Sequence, residues 1–118
     1  MKYVRVFTGP DLESHIEQRE FDFDSDTLRT APQFAKNIQF AERRVGFRGF
    51  HTPRQRQYML YLTARVELGL GDGTSVMMNP GDVLLAEDLT GRGHSSRVLE
   101  AGLCAVVALK DEAAEGSI

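Results

Sequence analysis

Along the chain, apolar residues recur in short, often alternating runs rather than at the three-and-four spacing of a buried helix face, and Gly, Pro, Asn and Asp separate the runs. This pattern predicts strands at 2–7, 15–23, 38–47, 57–62, 64–70, 75–78, 83–86, 95–99 and 103–109. Within the second of them, Glu20-Phe21-Asp22-Phe23-Asp24 alternates as a strand with one wet face does. The stretch from Ser25 to Pro32 reads as loop, followed by a helical turn around Phe34 and Ala35. Asp72-Gly73 marks a hairpin, for which a type I′ turn with positive φ at both central residues is expected. Asn79-Pro80-Gly81-Asp82 marks a second reversal, with Pro fixing φ and Gly free to turn. No predicted helix is long enough to cross over a parallel sheet, so the expected fold class is all-β, an antiparallel jelly-roll β-barrel. The acidic, small-residue tail at 111–118 is expected to be frayed.

Composition narrows the function. At 118 residues the chain supports a single domain with a core of its own, and no internal repeat or linker divides it. Fourteen Lys and Arg against 17 Asp and Glu give a net charge of −3, which argues against a nucleic-acid partner, since binding phosphates takes a clustered basic surface. No run approaches the roughly 18 apolar residues of a membrane span. The start, Met1 to Phe7, has charges inside its apolar stretch and no cleavage site, so a cytoplasmic location is expected. Cys104 sits in the apolar run 103–109 and reads as a buried small hydrophobe rather than a nucleophile. Val76-Met77-Met78 and Val83-Leu84-Leu85 read as core.

Two stretches are richer in chemistry than a scaffold needs: Gly49-Phe50-His51-Thr52-Pro53-Arg54-Gln55-Arg56-Gln57, and Glu87-Asp88-Leu89-Thr90-Gly91-Arg92-Gly93-His94-Ser95-Ser96-Arg97. In an extended strand without a bulge, His51, Pro53 and Gln57 share a face. Tyr61 shares the parity of Gln57, whereas Tyr58 takes the other face. His51 and His94 are either site residues or polar residues paired by hydrogen bonds in the interior. Arg54, Arg56, Arg92 and Arg97 either rim a site for an anion, which a guanidinium fork holds bidentately, or serve solubility. Glu87-Asp88 either supplies an acid or base near His94, or forms a solvated turn with Asp88 capping backbone N–H groups. His15 lies outside both stretches and is expected to be exposed or at a dimer contact.

Together these residues resemble the two motifs of the cupin superfamily, over about residues 40–109, with the N-terminal strands at about 2–24 preceding them. His51 falls on the first histidine of the first motif, Pro53 on the second and Gln57 on the glutamate; Leu89, Gly91 and His94 fall on the proline, glycine and histidine of the second motif. The resemblance implies a cupin barrel holding a small molecule, with His51 and His94 as catalytic residues; Tyr61, Arg54, Arg56 and Asp88 are expected around the substrate pocket. It also implies a divalent metal ion, Fe, Mn, Ni or Zn, on His51, Gln57 and His94. Pro53 departs from the pattern, because it cannot ligate. Gln57 departs less, since hydroxynitrile lyases among the metal-dependent cupins are similar in carrying glutamine there. The implied activity is of isomerase, lyase or oxygenase type on a sugar or a small carbonyl compound or acid; non-catalytic ligand binding is the alternative. Cupins commonly dimerise through an N-terminal strand, so a homodimer with 2–7 as its edge strand is expected.

Overall fold

The computed structural model describes residues 1–110. The expected fraying of 111–118 lies outside the described residues. These residues form ten strands and no helix: β1 (Lys2–Thr8), β2 (Ser14–Glu20), β3 (Ala35–Arg43), β4 (Gly46–His51), β5 (Gln57–Tyr61), β6 (Arg65–Gly69), β7 (Ser75–Met78), β8 (Val83–Glu87), β9 (His94–Glu100) and β10 (Gly102–Leu109). No helix long and apolar enough to cross a membrane is present among them.

The strands form two sheets, one in the order β2-β1-β8-β5-β10-β3 and the other in the order β4-β9-β6-β7. The expected closed barrel is thus replaced by two facing sheets. Antiparallel pairing holds everywhere except between β1 and β8, which run parallel with Val4 opposite Leu84 and Val6 opposite Ala86. That pairing also corrects the expected dimer edge. Residues 2–7 lie inside the sheet, flanked on both sides, and β2 takes the edge.

Alternation decides what faces inward. Met59 and Tyr61 of β5, Val66 and Leu68 of β6, Met78 of β7, Leu84 and Ala86 of β8, Val98 of β9 and Cys104 of β10 join Val6 in one buried cluster between the sheets. The outward set is wetter: Ile38 and Phe40 of the edge strand β3 are more than half exposed. Cys104 is buried as expected, and burial pushes its thiol up, away from the nucleophilic thiolate.

Four local expectations change. The single strand expected at 38–47 is two strands, β3 and β4, which join different sheets and turn at Arg44-Val45. Gly46 is the sequence signal for that break. The helical turn at Phe34 and Ala35 is absent, because Ala35 already opens β3 against Leu109. The strand expected at 15–23 stops at Glu20, and beyond it Phe21 packs on Tyr3 with ring centroids 4.8 Å apart. The hairpin at Asp72-Gly73 forms, but only Gly73 has positive φ, at 88°. Gly73 N–H donates to the Leu70 carbonyl at 3.1 Å and Leu70 N–H to the Thr74 carbonyl at 2.9 Å, which describes a three-residue loop with glycine at the bulge position. The turn at Pro80-Gly81 is as expected, with Gly81 at φ 94° and Asp82 N–H donating to the Asn79 carbonyl at 2.9 Å.

Leu84 is 1% exposed and stands among the inward residues. Leu84→Ala is therefore expected to cost about 2–5 kcal/mol, the range for a buried leucine whose cavity relaxes only in part. Ile38→Ala, on the exposed face, should stay within about 0.5 kcal/mol. Urea unfolding midpoints of the two variants check both.

Candidate functional site

The two sheets part along the side where β3 and β4 form their edges, and a cavity of about 640 Å³ opens there. Its walls come from both sheets: Gln39, Ala41 and Arg43 of β3, Gln57, Met59 and Tyr61 of β5, and His94, Ser96 and Val98 of β9. The every-second-residue spacing on each strand is what a pleated wall presents to one side. His51 closes β4, after which Thr52 to Gln55 run as a loop along the cavity before β5 begins.

His51 and His94 meet because β4 and β9 are neighbours and the two residues are register partners. A shift in register between Arg48 and His51 sets that pairing. The rings lie 4.9 Å apart between centroids and are inclined at 55°. Next to them Gly93 has φ 78°, and a Cβ there would overlap the His51 carbonyl oxygen. Only glycine lets the backbones of β4 and the start of β9 approach so closely.

Each ring has one nitrogen committed. His51 Nδ1–H donates to the Gly49 carbonyl at 2.8 Å. His94 Nδ1–H donates at 2.7 Å to Oδ2 of Asp88, a carboxylate with no exposed surface. The same oxygen accepts the Ser14 hydroxyl at 2.7 Å, while Asp88 Oδ1 is buried with no hydrogen-bond partner among the described residues. In both imidazoles, Nε2 is thus the nitrogen left to the cavity. Burial holds the His51 ring below the ordinary imidazole range, against the pull of the Gly49 carbonyl and with help from repulsion by the neighbouring His94 ring and Arg48. His51 is therefore neutral near pH 7, its Nε2 an acceptor.

Of the expected pocket residues, Tyr61 and Arg54 line the cavity. Tyr61 is 2% exposed, and burial raises its phenol far enough that it keeps its proton. Tyr58 takes the opposite face, where its hydroxyl donates to Gln33 Oε1 at 2.8 Å. Asp88 is not in the wall; it stands behind His94 as its hydrogen-bond partner, neither capping a turn nor touching the cavity. Arg56 also lies outside the lining, where it pairs with Glu87. Glu87 additionally holds Arg5 at 2.5 Å; burial raises its carboxyl, but the two guanidinium partners outweigh burial and lower it. Arg92 is drawn to Glu13 at 3.1 Å and to the Phe50 ring, and Arg97 lies over Phe47, so neither lines the cavity. His15 is exposed and paired with Asp11 at 2.9 Å.

The cationic residues that do line it are Arg43, Arg44, Arg48 and Arg54. The first three escape the sequence reading because one continuous strand across 38–47 hides the corner that brings both flanks to the mouth.

Metal ligation would draw on His51, His94 and Gln57. The Nδ1 tethers are of the kind that orient metal-binding imidazoles. Gln57 Nε2 lies 3.7 Å from Met59 Sδ, which leaves its amide oxygen as a donor. Among the described residues, no three His, Cys, Asp or Glu side chains come together as a ligand group. Pro53 lines the cavity where the motif would have a further histidine. Comparison with family models, curated proteins and solved structures returns no match for the chain.

Two outcomes follow. The His51 ring should titrate by NMR with a midpoint below the roughly 6.5 of a free imidazole. As pH falls below about 6.5 the unfolded chain takes up a proton that folded His51 does not, so folding stability drops until the folded ring titrates too. His51→Gln should flatten that part of the thermal-midpoint profile; an unchanged profile would remove His51 as its source. Gly93→Ala is expected to cost at least about 1–3 kcal/mol from strained φ alone, measured by urea unfolding.

Proposed function

We propose that this chain is a cupin-type jelly roll that carries out general acid–base chemistry on a small molecule held between its sheets. The fold reading is supported by strand order: β8-β5-β10-β3 facing β4-β9-β6-β7 is the arrangement of eight strands folded as two interleaved Greek keys, with β1 and β2 added at one edge. The functional reading rests on one observation, the buried Asp88 carboxylate bonded to Nδ1 of a histidine whose Nε2 is left to the cavity. A carboxylate in that position fixes the Nδ1–H tautomer and stabilises the imidazolium formed when Nε2 takes a proton. His94 is then the base, removing a proton from carbon beside a carbonyl and returning it at the same or a neighbouring atom. Neutral His51 accepts a hydrogen bond from a substrate hydroxyl and positions it. Isomerisation, epimerisation and dehydration all use that step.

The donor set favours a second reading. His51 and His94, each tethered at Nδ1, with the Gln57 oxygen, would hold a divalent ion, Fe, Mn, Ni or Zn, that supplies Lewis-acid polarisation of a carbonyl.

Proton exchange tests the proposal without a known substrate. Small keto and hydroxy acids and sugars are incubated with protein in D₂O, and loss of the C–H signal beside the carbonyl is followed by NMR. Exchange by the wild type should fall about 10²–10⁴-fold in His94→Gln and be strongly reduced in Asp88→Asn. Exchange that survives chelator treatment supports acid–base catalysis. Exchange lost with chelator and restored by one metal, with elemental analysis tracking His51 and His94, supports the metal reading. No exchange with any compound overturns catalysis in favour of ligand binding alone.

A further inference from the structure

We infer that the molecule held in the cavity is a small organic oxyanion, a carboxylate or a phosphate ester, bound by Arg43, Arg48 and Arg54. The inference deepens the acid–base reading of the same cavity and takes its site from it. The starting observation is an imbalance of charge. The chain carries 17 Asp and Glu against 14 Lys and Arg, yet four arginines and no Asp or Glu line the cavity among the described residues.

Elsewhere four of the seven arginines outside the lining pair with carboxylates, while Arg65 donates to Asn79 and Arg97 lies over the Phe47 ring. Arg5 and Arg56 share Glu87, Arg19 pairs with Glu17 at 2.6 Å, and Arg92 pairs with Glu13. In the cavity only Arg44 has a carboxylate neighbour, Glu42 at 3.4 Å, and both side chains there are exposed. Arg43, Arg48 and Arg54 have no ion pair among the described residues. Arg43 is the deepest of them, half-buried and against the Cys104 thiol. Unneutralised guanidinium groups converging on a concave wall repel one another, and an incoming oxyanion relieves that repulsion while meeting planar, bidentate donors.

The position also suits the chemistry. Arg43 and Arg48 come from strands on opposite sides of the opening, Arg54 from the loop after His51, and His94 from the wall they surround. A ligand whose oxyanion lies on the arginines has its adjacent carbon within the same small cavity as His94 Nε2. Neutralising the oxyanion matters for the reaction itself, because removing a proton beside a carboxylate otherwise builds a second negative charge next to the first. The remaining polar wall, Gln39, Gln57 and Ser96, supplies neutral donors and acceptors for a hydroxyl or carbonyl. A nucleic acid is a poorer fit, since the cationic groups line a cavity and not an extended surface.

The test is titration calorimetry of the full chain with malonate and, separately, inorganic phosphate, at about 50 mM and 200 mM salt, where exposed charges are screened to different extents. Arg43→Gln, Arg48→Gln and Arg54→Gln are each expected to weaken binding about tenfold or more, as loss of a charge-assisted hydrogen bond does. Arg65→Gln is the control, because Arg65 donates to Asn79 Oδ1 at 3.1 Å on another part of the surface. Thermal midpoints of all variants establish that they fold. Saturable, arginine-dependent binding of malonate assigns a carboxylate, and of phosphate alone a phosphate ester. Saturation by neither anion, or binding that the three arginine variants leave unchanged, overturns the inference. Absence of proton exchange alongside arginine-dependent binding overturns the acid–base reading and leaves this one standing.

Discussion

A buried carboxylate is costly to keep unless it is hydrogen-bonded, and Asp88 has no exposed surface. Its bonds therefore constrain everything around it. Oδ2 takes one hydrogen bond from Ser14, the first residue of β2, and another from His94, the first residue of β9. Asp88 itself directly follows β8. One oxygen thereby joins the edge of the larger sheet to the smaller sheet and fixes the orientation of the histidine that faces the cavity. Ser14 lies outside the cavity lining, yet it is linked to His94 through this carboxylate. Among the described residues Oδ1 has no hydrogen-bond partner, so Ser14 and His94 are the donors that hold the carboxylate there.

The second constraint is that the sheets do not close. β3 and β4 are consecutive in the chain but lie in different sheets, and the short turn at Arg44-Val45 makes them the two lips of the opening. Alternation then puts Gln39, Ala41 and Arg43 on the inner side of one lip while Ile38 and Phe40 remain outside. The opening is what lets a cationic lining persist beside water.

Much of this was legible in the sequence, and what was not has physical causes. Strand positions followed from alternation, and the parity of Gln57 and Tyr61 against Tyr58 holds in the walls of the cavity. The encounter of His51 with His94 was suggested by motif spacing. Its mechanism, pairing of neighbouring strands across a register shift, belongs to the sheet and leaves no local mark. Gln57 reaches the same cavity from the other sheet, so shared parity along one strand was the wrong reason for placing it with His51. The role of Asp88 depends on Ser14, 74 positions earlier in the chain, and on the parallel docking of β1 beside β8. No pattern within a window of ten residues carries either. The arginine lining was hidden by one missed corner, although Gly46 marked it. Arg56, Arg92 and Arg97 sat in the motif stretches and looked equivalent to Arg54, but Glu87, Glu13 and the Phe50 and Phe47 rings hold them, and none of the three lines the cavity.

Net charge and local charge thus point in opposite directions, and on the proposed oxyanion reading the local one would govern what enters the cavity. Screening at physiological salt limits exposed charges to a range of about 8 Å. The excess of acidic residues distributed over the outside is largely attenuated at that distance, whereas Arg43, Arg48 and Arg54 line the cavity itself, Arg43 half-buried and the other two at its exposed mouth. The same separation holds at His94. It has its carboxylate partner behind the ring and the positive lining around its front, so on the proposed reading an anionic substrate would be drawn toward Nε2 without meeting Asp88. A carboxylate lining the cavity would repel an anionic ligand that the arginines could attract. Placing Asp88 behind the imidazole keeps the lining free of acidic groups among the described residues.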